Sequence, residues 1–221
     1  MTNKKFYVVW AGHNPGVYDS WDDAQEQIQN FKGAKYKSYT SAAEAAEAYR
    51  QGILLDENLS LGNFLTQLST RIQDSKTATA DWHRFPEIDR NGWAVDASCL
   101  GNPGVMEYQG VDLATGKRLF RIGPFQGATN NIGEYLAIVH ALALLEQRGE
   151  RRTIYSDSRT GMAWARKGFA NTKIAPTAQN KPVRDLIQRA NAWLANHSFR
   201  VPVLKWDTDR WGEIPADFGR K

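Results

Sequence analysis

Four acidic residues in the last two thirds of the chain stand at positions where a carboxylate could do chemistry. Asp96 interrupts the apolar segment "GWAVDASC", and a turn at 101–104 follows almost at once. A charge inside an apolar strand is costly unless it is paired or binds a metal. Glu134, Asp157 and Asp217 stand near points where the predicted secondary structure changes. The chemistry depends on whether these acids converge on the strand that carries Asp96.

Each of the other three acids also has an ordinary structural explanation. Glu134 could be the capping-box partner of Asn131, and Asp157 could cap the helix that follows it. Asp217 could be an exposed acid in a frayed terminal segment. These alternatives stay open from the sequence alone, whereas the position of Asp96 within a central apolar strand is harder to explain without a partner.

Composition limits the classes of protein to which these acids can belong. The chain has 221 residues, of which 42% are hydrophobic and 24% charged, as is usual for a globular protein with a sizeable core. It has no apolar run of the roughly 20 residues that a membrane span needs, and "MTNKKFYVVW" lacks the apolar segment of a signal peptide. We therefore expect a cytoplasmic protein that does not bind membranes.

Cysteine and histidine usage points away from thiolate or imidazole metal sites. Cys99 is the only cysteine, which rules out an internal disulfide and any zinc site built on several cysteines. The four histidines are scattered and show no paired metal-ligand spacing. A metal site in this chain would have to use oxygen ligands.

The positive charge of the chain is concentrated in its last part. Residues 87–221 contain 19 basic and 14 acidic residues, whereas residues 1–50 contain 6 of each and residues 51–86 contain 3 and 4. The net charge of +4 therefore comes entirely from the part that also holds the four acids. This distribution indicates a carboxylate cluster set in a surface that attracts a polyanion.

The first 50 residues predict a small α+β domain with a three-stranded sheet and two helices. "KFYVVWA", "GVYDSW" and "AKYKSYT" have strand patterns. Ser20 with Asp23 and Ser41 with Glu44 mark two helix starts, and Gly52 is the expected end of the second helix. Residues 51–86 predict a linker that contains a helix in "NFLTQLSTRIQD".

Residues 87–221 predict an α/β domain. Three consecutive strands are followed by alternating helices and strands, and a short helix is expected at the end of the chain. This order of elements implies a mixed five-stranded sheet flanked by helices.

Three separated motifs resemble those of a known enzyme family. "DASCLGNPG", "TNNIGE" and "YSDS" are similar, in that order and at similar separations, to the motif blocks of the type 1 ribonucleases H. "FYVVWAGHNPGVYDSWDDAQEQIQNFKGAKYKSY" resembles the small hybrid-binding, viroplasmin-like domain at the N-terminus of many family members. The resemblance implies the ribonuclease H-like fold for residues 87–221 and covers most of the chain except the linker.

The resemblance also implies a metal-dependent activity. Asp96, Glu134, Asp157 and Asp217 would hold two Mg²⁺ ions, for which Mn²⁺ is a possible substitute. Hard cations take oxygen ligands, and two of them about 3.5–4 Å apart can activate a water and stabilise a leaving 3′-oxygen. The implied reaction is endonucleolytic cleavage of the RNA strand of an RNA–DNA hybrid, with 5′-phosphate and 3′-hydroxyl ends.

Nucleic-acid contacts in both domains also follow from the resemblance. In residues 87–221 the implied contacts are Asn102, Thr129, Asn130 and Asn131, with Ser98 and Ser158 as helpers whose alternative role is turn and cap bonding. In residues 1–50 they are Tyr7, Trp21, Tyr36 and Lys37. Aromatic faces stack on bases and sugars and lysines meet phosphates, although Tyr7 and Trp21 could equally serve a small core.

The chain departs from the family pattern in three places. The loop "DTDRWGE" lacks the histidine of many relatives, and Asp209, Arg210 or Glu213 could replace it. The Asn-Glu pair usual before the last acid is absent, so Glu213 is an alternative to Asp217 as the fourth ligand. No Lys- or Arg-rich helical protrusion precedes "VRDLIQRANAW", so the N-terminal domain would have to supply the grip on the substrate.

Two other functions remain possible on the same residues. One is a hybrid-binding protein whose nuclease domain is inactive, and the other is a transposase- or resolvase-like DNA enzyme, because a fold does not determine a substrate. The first three acids argue against the former and the hybrid-binding domain against the latter. We expect an RNA–DNA hybrid as the partner, no obligate protein partner, and a monomer.

Overall fold

The chain divides into two compact units, residues 1–70 and residues 71–221. The structure is a computed structural model that describes residues 5–13, 16–54, 81–198 and 201–219. The predicted linker helix in "NFLTQLSTRIQD" lies outside the described residues. In the described ranges, no helix is both long enough and apolar enough to cross a membrane.

The first unit contains the three strands and two helices that the sequence predicts. Strands β1 (Phe6–Ala11), β2 (Gly16–Tyr18) and β3 (Lys35–Tyr39) form an antiparallel sheet in the order β2-β1-β3. The helices are α1 (Trp21–Ile28) and α2 (Ala42–Leu54). The expected end of α2 at Gly52 is wrong, because the helix continues to Leu54 and a single glycine within a helix costs only about 1 kcal/mol.

The second unit has the predicted mixed five-stranded sheet, in the order β6-β5-β4-β7-β8. Strands β4, β5 and β6 are antiparallel neighbours, while β7 is parallel to both β4 and β8. Hairpin turns join the first three strands, whereas helical crossovers join the parallel ones. The strands are β4 (Trp93–Gly101), β5 (Gly104–Asp112), β6 (Arg118–Ala128), β7 (Ile154–Ser156) and β8 (Val203–Lys205).

Four α-helices and one 3₁₀ turn of the second unit are described. They are α3 (Asn130–Arg148), α4 (Arg159–Lys167), α5 (Lys181–Asn196), α6 (Thr208–Trp211) and the 3₁₀ turn Asp81–Arg84. The last helix ends at Trp211, so Asp217 is not on a helix as we expected from the sequence. Pro215 lies in a turn just before this acid, and its ring fixes φ and removes a backbone donor, which does not favour a continued helix.

The C-terminal segment instead packs across the sheet as irregular chain. Ile214 and Ala216 are buried in a cluster with Ala94, Val111, Leu113 and the aromatic rings of Trp82, Tyr155 and Trp206. The Trp206 indole donates to the Gly212 carbonyl at 2.8 Å. Apolar burial and this hydrogen bond therefore hold the end of the chain against the sheet.

Helix α3 packs directly on the sheet, because a glycine stands where the two elements come closest. A Cβ added at Gly133 would lie 2.6 Å from the Cβ of Ala97 and 2.8 Å from the Sδ of Met106. No side chain fits in that space without a shift of the helix or the strands. The absence of a side chain at Gly133 thus sets how closely the next residue, Glu134, approaches strand β4.

We expect Gly133→Ala to destabilise the protein, although the same change usually stabilises a helix interior by up to about 1 kcal/mol. Overpacking against Ala97 and Met106 costs about 1–3 kcal/mol and reverses the sign. The free energy of unfolding from urea denaturation measures the effect. A variant more stable than the wild type would show that the helix-to-sheet contact is looser than described.

His140 on α3 is a buried titratable residue that is not one of the four candidate acids. Its ring stacks on Phe120 at 3.8 Å between centroids and meets the edge of Tyr108 at 6.0 Å. Neither ring nitrogen has a hydrogen-bond partner among the described residues. Burial lowers the pKa of His140 from 6.5 to about 3, so the imidazole is neutral in the folded protein at neutral pH.

The neutral imidazole makes stability depend on pH. Between pH 6.5 and 3 the unfolded chain binds a proton at His140 that the folded chain does not, so stability falls as the pH falls through that window. The slope is up to about 1.4 kcal/mol per pH unit. We expect His140→Met to lose less stability than the wild type between pH 6.5 and 4 in urea unfolding; equal losses would contradict this prediction.

Candidate metal and nucleic-acid site

Three of the four predicted acids come together at the central part of the five-stranded sheet. Asp96 and Glu134 are buried and Asp157 is partly buried, and each offers a carboxylate oxygen within 4.8 Å of the others. Asp96 projects from β4, Glu134 from the second turn of α3, and Asp157 follows the C-terminal end of β7. Because β4 and β7 are parallel neighbours, the residue that follows β7 can approach the middle of β4.

The close approach of helix α4 to α3 brings Asp157 and Glu134 together. A Cβ added at Gly161 on α4 would lie 2.9 Å from the Cβ of Glu134 and 3.1 Å from its carbonyl carbon. Only glycine at position 161, in the first turn of α4 and four residues after Asp157, allows this helix to contact α3 so closely. The close contacts at Gly133 and Gly161 thus fix Glu134 from two sides.

Neither of the ordinary capping explanations for Glu134 and Asp157 fits the structure. The N-cap of α3 is Thr129, whose hydroxyl accepts from the Ile132 N–H at 3.4 Å, so Glu134 is not at the capping-box position. The N-cap of α4 is Ser158, whose hydroxyl accepts from the Gly161 N–H at 3.0 Å. Because Thr129 and Ser158 cap these helices, neither the Glu134 nor the Asp157 carboxylate is needed for capping.

The mutual proximity and burial of the acids raise their pKa values. Burial is the largest cause of the rise at Asp96, to about 8, and the charge of Asp157 adds to it. Burial, and then the charges of Asp96 and Asp157, hold the pKa of Glu134 well above its usual value. The pKa of Asp157 is raised by burial, and the nearby cation of Lys205 opposes that rise. Without a cation among them, the acids therefore hold protons that isolated carboxyl groups would have lost.

The donor set of this cluster suits a hard divalent cation. Glu134 Oε1 accepts from the Asn130 side-chain amide at 3.2 Å, while its other oxygen, Oε2, is buried and receives no hydrogen bond from the described residues. A buried polar atom without a partner costs about 1–3 kcal/mol. A cation bound among the three carboxylates would satisfy that oxygen and relieve the repulsion, as Mg²⁺ does with carboxylate ligands.

Asp217 lies beside this cluster but outside the group of oxygens within 4.8 Å. Its charge raises the pKa of both Asp96 and Asp157, which places it within electrostatic range of the two. One of its carboxylate oxygens accepts from the Gly219 N–H at 2.7 Å. Glu213, the alternative fourth ligand, is exposed.

The predicted nucleic-acid contacts of the second unit differ in accessibility. Asn102 is exposed in the turn between β4 and β5, and Asn131 is exposed in the first turn of α3. Ser98 is half-buried on β4, two residues from Asp96. The hydroxyls of Thr129 and Ser158 act in helix caps, and Asn130 bonds Glu134. The cap role that the sequence left open for Ser158 is thus observed.

Sequence reasoning missed a cation next to the acids. Lys205, the last residue of β8, pairs in register with Ser156 on β7, and its charge lowers the pKa of Asp157. Of the candidates for the missing histidine, Arg210 is ion-paired with Glu87 at 2.8 Å, Asp209 lies in the short helix α6 and Glu213 is exposed. Lys205 could have been suspected only from the pairing of β7 with β8.

Three of the four predicted contacts in the first unit form one aromatic row. The ring of Trp21 lies 5.2 Å from that of Tyr7 and 5.8 Å from that of Tyr36, between centroids. Trp21 is 38% exposed and Tyr36 is 49% exposed, so neither ring is buried in the core of this unit. Lys37 leaves β3 on the other face, because side chains alternate along a strand, and its ammonium lies 5.5 Å from the Tyr39 ring centre.

Comparisons with known proteins match both units. A family model described as "RNase H" matches residues 90–205, and one described as "Ribonuclease H1 N-terminal domain" matches residues 5–49. A Schizosaccharomyces pombe protein named ribonuclease H is 25% identical over 257 residues, which cover 97% of this chain and 96% of that protein. A Neorickettsia sennetsu protein of the same name is 42% identical over 132 residues, which cover 57% and 87% respectively.

Among solved structures, the ribonuclease H1 of Halobacterium salinarum superposes with a TM-score of 0.34 at 21% identity, over 53% of this chain and 86% of that chain.

We expect Asp157→Asn to stabilise the metal-free protein, because it removes one of the charges that raise the pKa of Asp96 and Glu134. A gain of about 1 kcal/mol corresponds to a rise in Tm of about 2–4 °C for a protein of this size. Thermal melting in EDTA measures it. The same variant should gain less Tm than the wild type on addition of Mg²⁺. A lower Tm in EDTA, or an equal gain with Mg²⁺, would argue against a repulsive metal-binding cluster.

Proposed function

This chain belongs to the ribonuclease H family, and from that premise we propose that it is an endonuclease that cleaves the RNA strand of RNA–DNA hybrids. The proposed products carry 5′-phosphate and 3′-hydroxyl ends. The observation that supports this function best is the group formed by Asp96, Glu134 and Asp157, within 4.8 Å of one another and largely buried. Such a group is costly in a folded protein unless cations occupy it.

The proposed cofactor is Mg²⁺, as two ions, with Mn²⁺ as a substitute. Asp96, Glu134, Asp157 and Asp217 are the residues that would hold it. Divalent ions bound to carboxylates activate water for in-line attack at phosphorus and neutralise the charge that develops on the leaving oxygen. Mg²⁺ prefers oxygen ligands, and among the described residues the cluster is made of carboxylates.

Several groups of this chain hold the acids in position. Asn130 donates to one oxygen of Glu134 and leaves the other, buried oxygen available to a cation. Ser158 and Thr129 fix the starts of the two helices that flank the acids. In the proposed reaction the oxygen of a water bonds to the scissile phosphorus and the bond from phosphorus to the 3′-oxygen breaks. The water gives up a proton to solvent, and the 3′-oxygen takes up a proton from solvent, which yields the 5′-phosphate and the 3′-hydroxyl.

The first unit would contribute affinity for the hybrid rather than chemistry. Its aromatic row consists of Tyr7, Trp21 and Tyr36, and the exposed rings of Trp21 and Tyr36 would offer faces to sugars and bases. Lys37, on the other face of β3, would contact a phosphate only if the nucleic acid wraps the edge of that strand. The exposed amides of Asn102 and Asn131 in the second unit are suited to reach the 2′-hydroxyl groups that mark RNA. The monomeric state and cytoplasmic location stay predictions.

The direct test compares labelled RNA–DNA hybrid, duplex RNA and duplex DNA as substrates, each with Mg²⁺ and with EDTA. We expect cleavage of the RNA strand of the hybrid alone, and only with Mg²⁺. Asp157→Asn should reduce the rate by at least about 10²-fold, because it removes a charged ligand, while the hybrid is still bound. Binding without cleavage by the wild type would favour the inactive alternative, and cleavage of duplex DNA would favour the DNA-enzyme alternative.

We expect Trp21→Ala to weaken hybrid binding about tenfold, within the roughly 1–3 kcal/mol that stacking on an aromatic side chain contributes. Phe31→Ala is the matched control, because Phe31 is 37% exposed and its ring packs on His13, which is not part of the aromatic row. Fluorescence anisotropy with labelled hybrid in EDTA, at constant salt, measures both variants. Equal losses for the two variants would show that the row has no special role.

A further inference from the structure

Three side chains form a straight row across the sheet, and one of them is the buried acid of strand β4. Asp96 pairs in register with Gln109 on β5, and Gln109 pairs with Arg121 on β6. Residues directly opposite each other on paired strands point to the same face of the sheet. Asp96, Gln109 and Arg121 therefore lie side by side on one face.

The C-terminal segment crosses this row and is held there on both sides of Asp217. The buried Gln109 amide donates to the carbonyl of Ala216 at 2.6 Å. The Arg121 guanidinium lies 5.2 Å from the centre of the Phe218 ring, within the range of a cation–π contact. One contact thus fixes the residue before Asp217 and the other fixes the residue after it.

Other groups satisfy Arg121 locally. Glu107 lies two residues before Gln109 on β5. Its carboxylate forms an ion pair with Arg121 at 2.6 Å. The ion pair restrains the guanidinium, whose Cζ lies over the Phe218 ring. The ion pair and the ring contact together place Arg121 where it can orient the Phe218 ring.

We propose that Gln109 and Arg121 form a C-terminal clamp, two positioning residues that hold Ala216 and Phe218 and thereby direct Asp217 toward the Asp96–Glu134–Asp157 cluster. A segment a few residues from the end of the described chain is ordered only by what holds it. No helix carries Asp217, so its position relative to Asp96 depends on these two contacts and on the burial of Ile214 and Ala216. Gln109, the first residue of the clamp, pairs directly with Asp96 on the neighbouring strand. The clamp therefore connects Asp217, the fourth acid, with Asp96, the first.

The clamp rests on the proposed function, since it assigns a role to Asp217 in metal binding, but its test does not need catalysis. The probe is Mg²⁺ alone, and the readout is the rise in Tm of the full chain with increasing Mg²⁺, which yields a half-saturating concentration. Gln109→Leu removes the donor with little change of volume. Changes in groups that orient metal ligands cost about 10–100-fold in metal affinity, so we expect the half-saturating Mg²⁺ concentration to rise about tenfold or more.

A double-mutant cycle separates positioning from general destabilisation. If Gln109 acts through Asp217, Gln109→Leu should cause no further rise in half-saturating Mg²⁺ when Asp217 is already Asn. Gln147→Leu is the matched control, because Gln147 is exposed near the end of α3, and it should leave the half-saturating concentration unchanged. An unchanged value for Gln109→Leu, or additive effects in the double mutant, would overturn the clamp.

Substitutions of Arg121 give a second test of the clamp. The Arg121 side chain is partly exposed, unlike that of the buried Gln109. Arg121→Met should raise the half-saturating Mg²⁺ concentration, and Arg121→Lys should restore much of the loss because it keeps a cation near the ring and the carboxylate. Equal effects of Met and Lys, or no effect of either, would contradict the clamp. A wild type that binds Mg²⁺ but cleaves no hybrid would refute the proposed function alone, and the cycle would still decide the clamp.

Discussion

The constraint on which the second unit depends is the mutual repulsion of three carboxylates in a partly buried space. Asp96, Glu134 and Asp157 offer oxygens within 4.8 Å of one another, and burial together with like charge raises the pKa of each. Left alone, such a group would open the surrounding structure or take up protons. The scaffold must therefore be stiff enough to hold the acids together until a cation neutralises them.

That stiffness comes from contacts in which backbone approaches backbone. Gly133 lets α3 lie on Ala97 and Met106, and Gly161 lets α4 lie on Glu134, so neither helix can move without breaking close packing. Thr129 and Ser158 cap these helices, so the acids are not used as helix caps. The apolar interior of α3 and the irregular C-terminal segment pack on opposite faces of the sheet and complete the support.

The two units differ in the features that would serve recognition and chemistry under the proposed function. The first unit has no net charge over residues 1–50 and exposes aromatic rings, which favours stacking over long-range attraction. The second unit carries the positive excess of the chain together with the acidic cluster, so a polyanion is attracted to the domain while the site itself draws cations. This division agrees with a nuclease whose affinity and catalysis can be altered separately.

The sequence by itself determined the class of each unit and the order of its elements, because alternating apolar patterns, caps and turns are local properties that residues carry wherever they are placed. It also indicated Asp96, whose charge conflicts with its strand. Only the tertiary structure showed that Thr129 and Ser158, not the acids, cap the helices, that Lys205 lies beside Asp157, and that Lys37 and Tyr36 face opposite sides of their sheet. The tertiary structure also showed that Asp217 does not lie on the expected helix. It lies on an irregular segment that Gln109 and Arg121 contact. These features depend on strand register and on contacts between residues up to about a hundred positions apart, which no local pattern encodes.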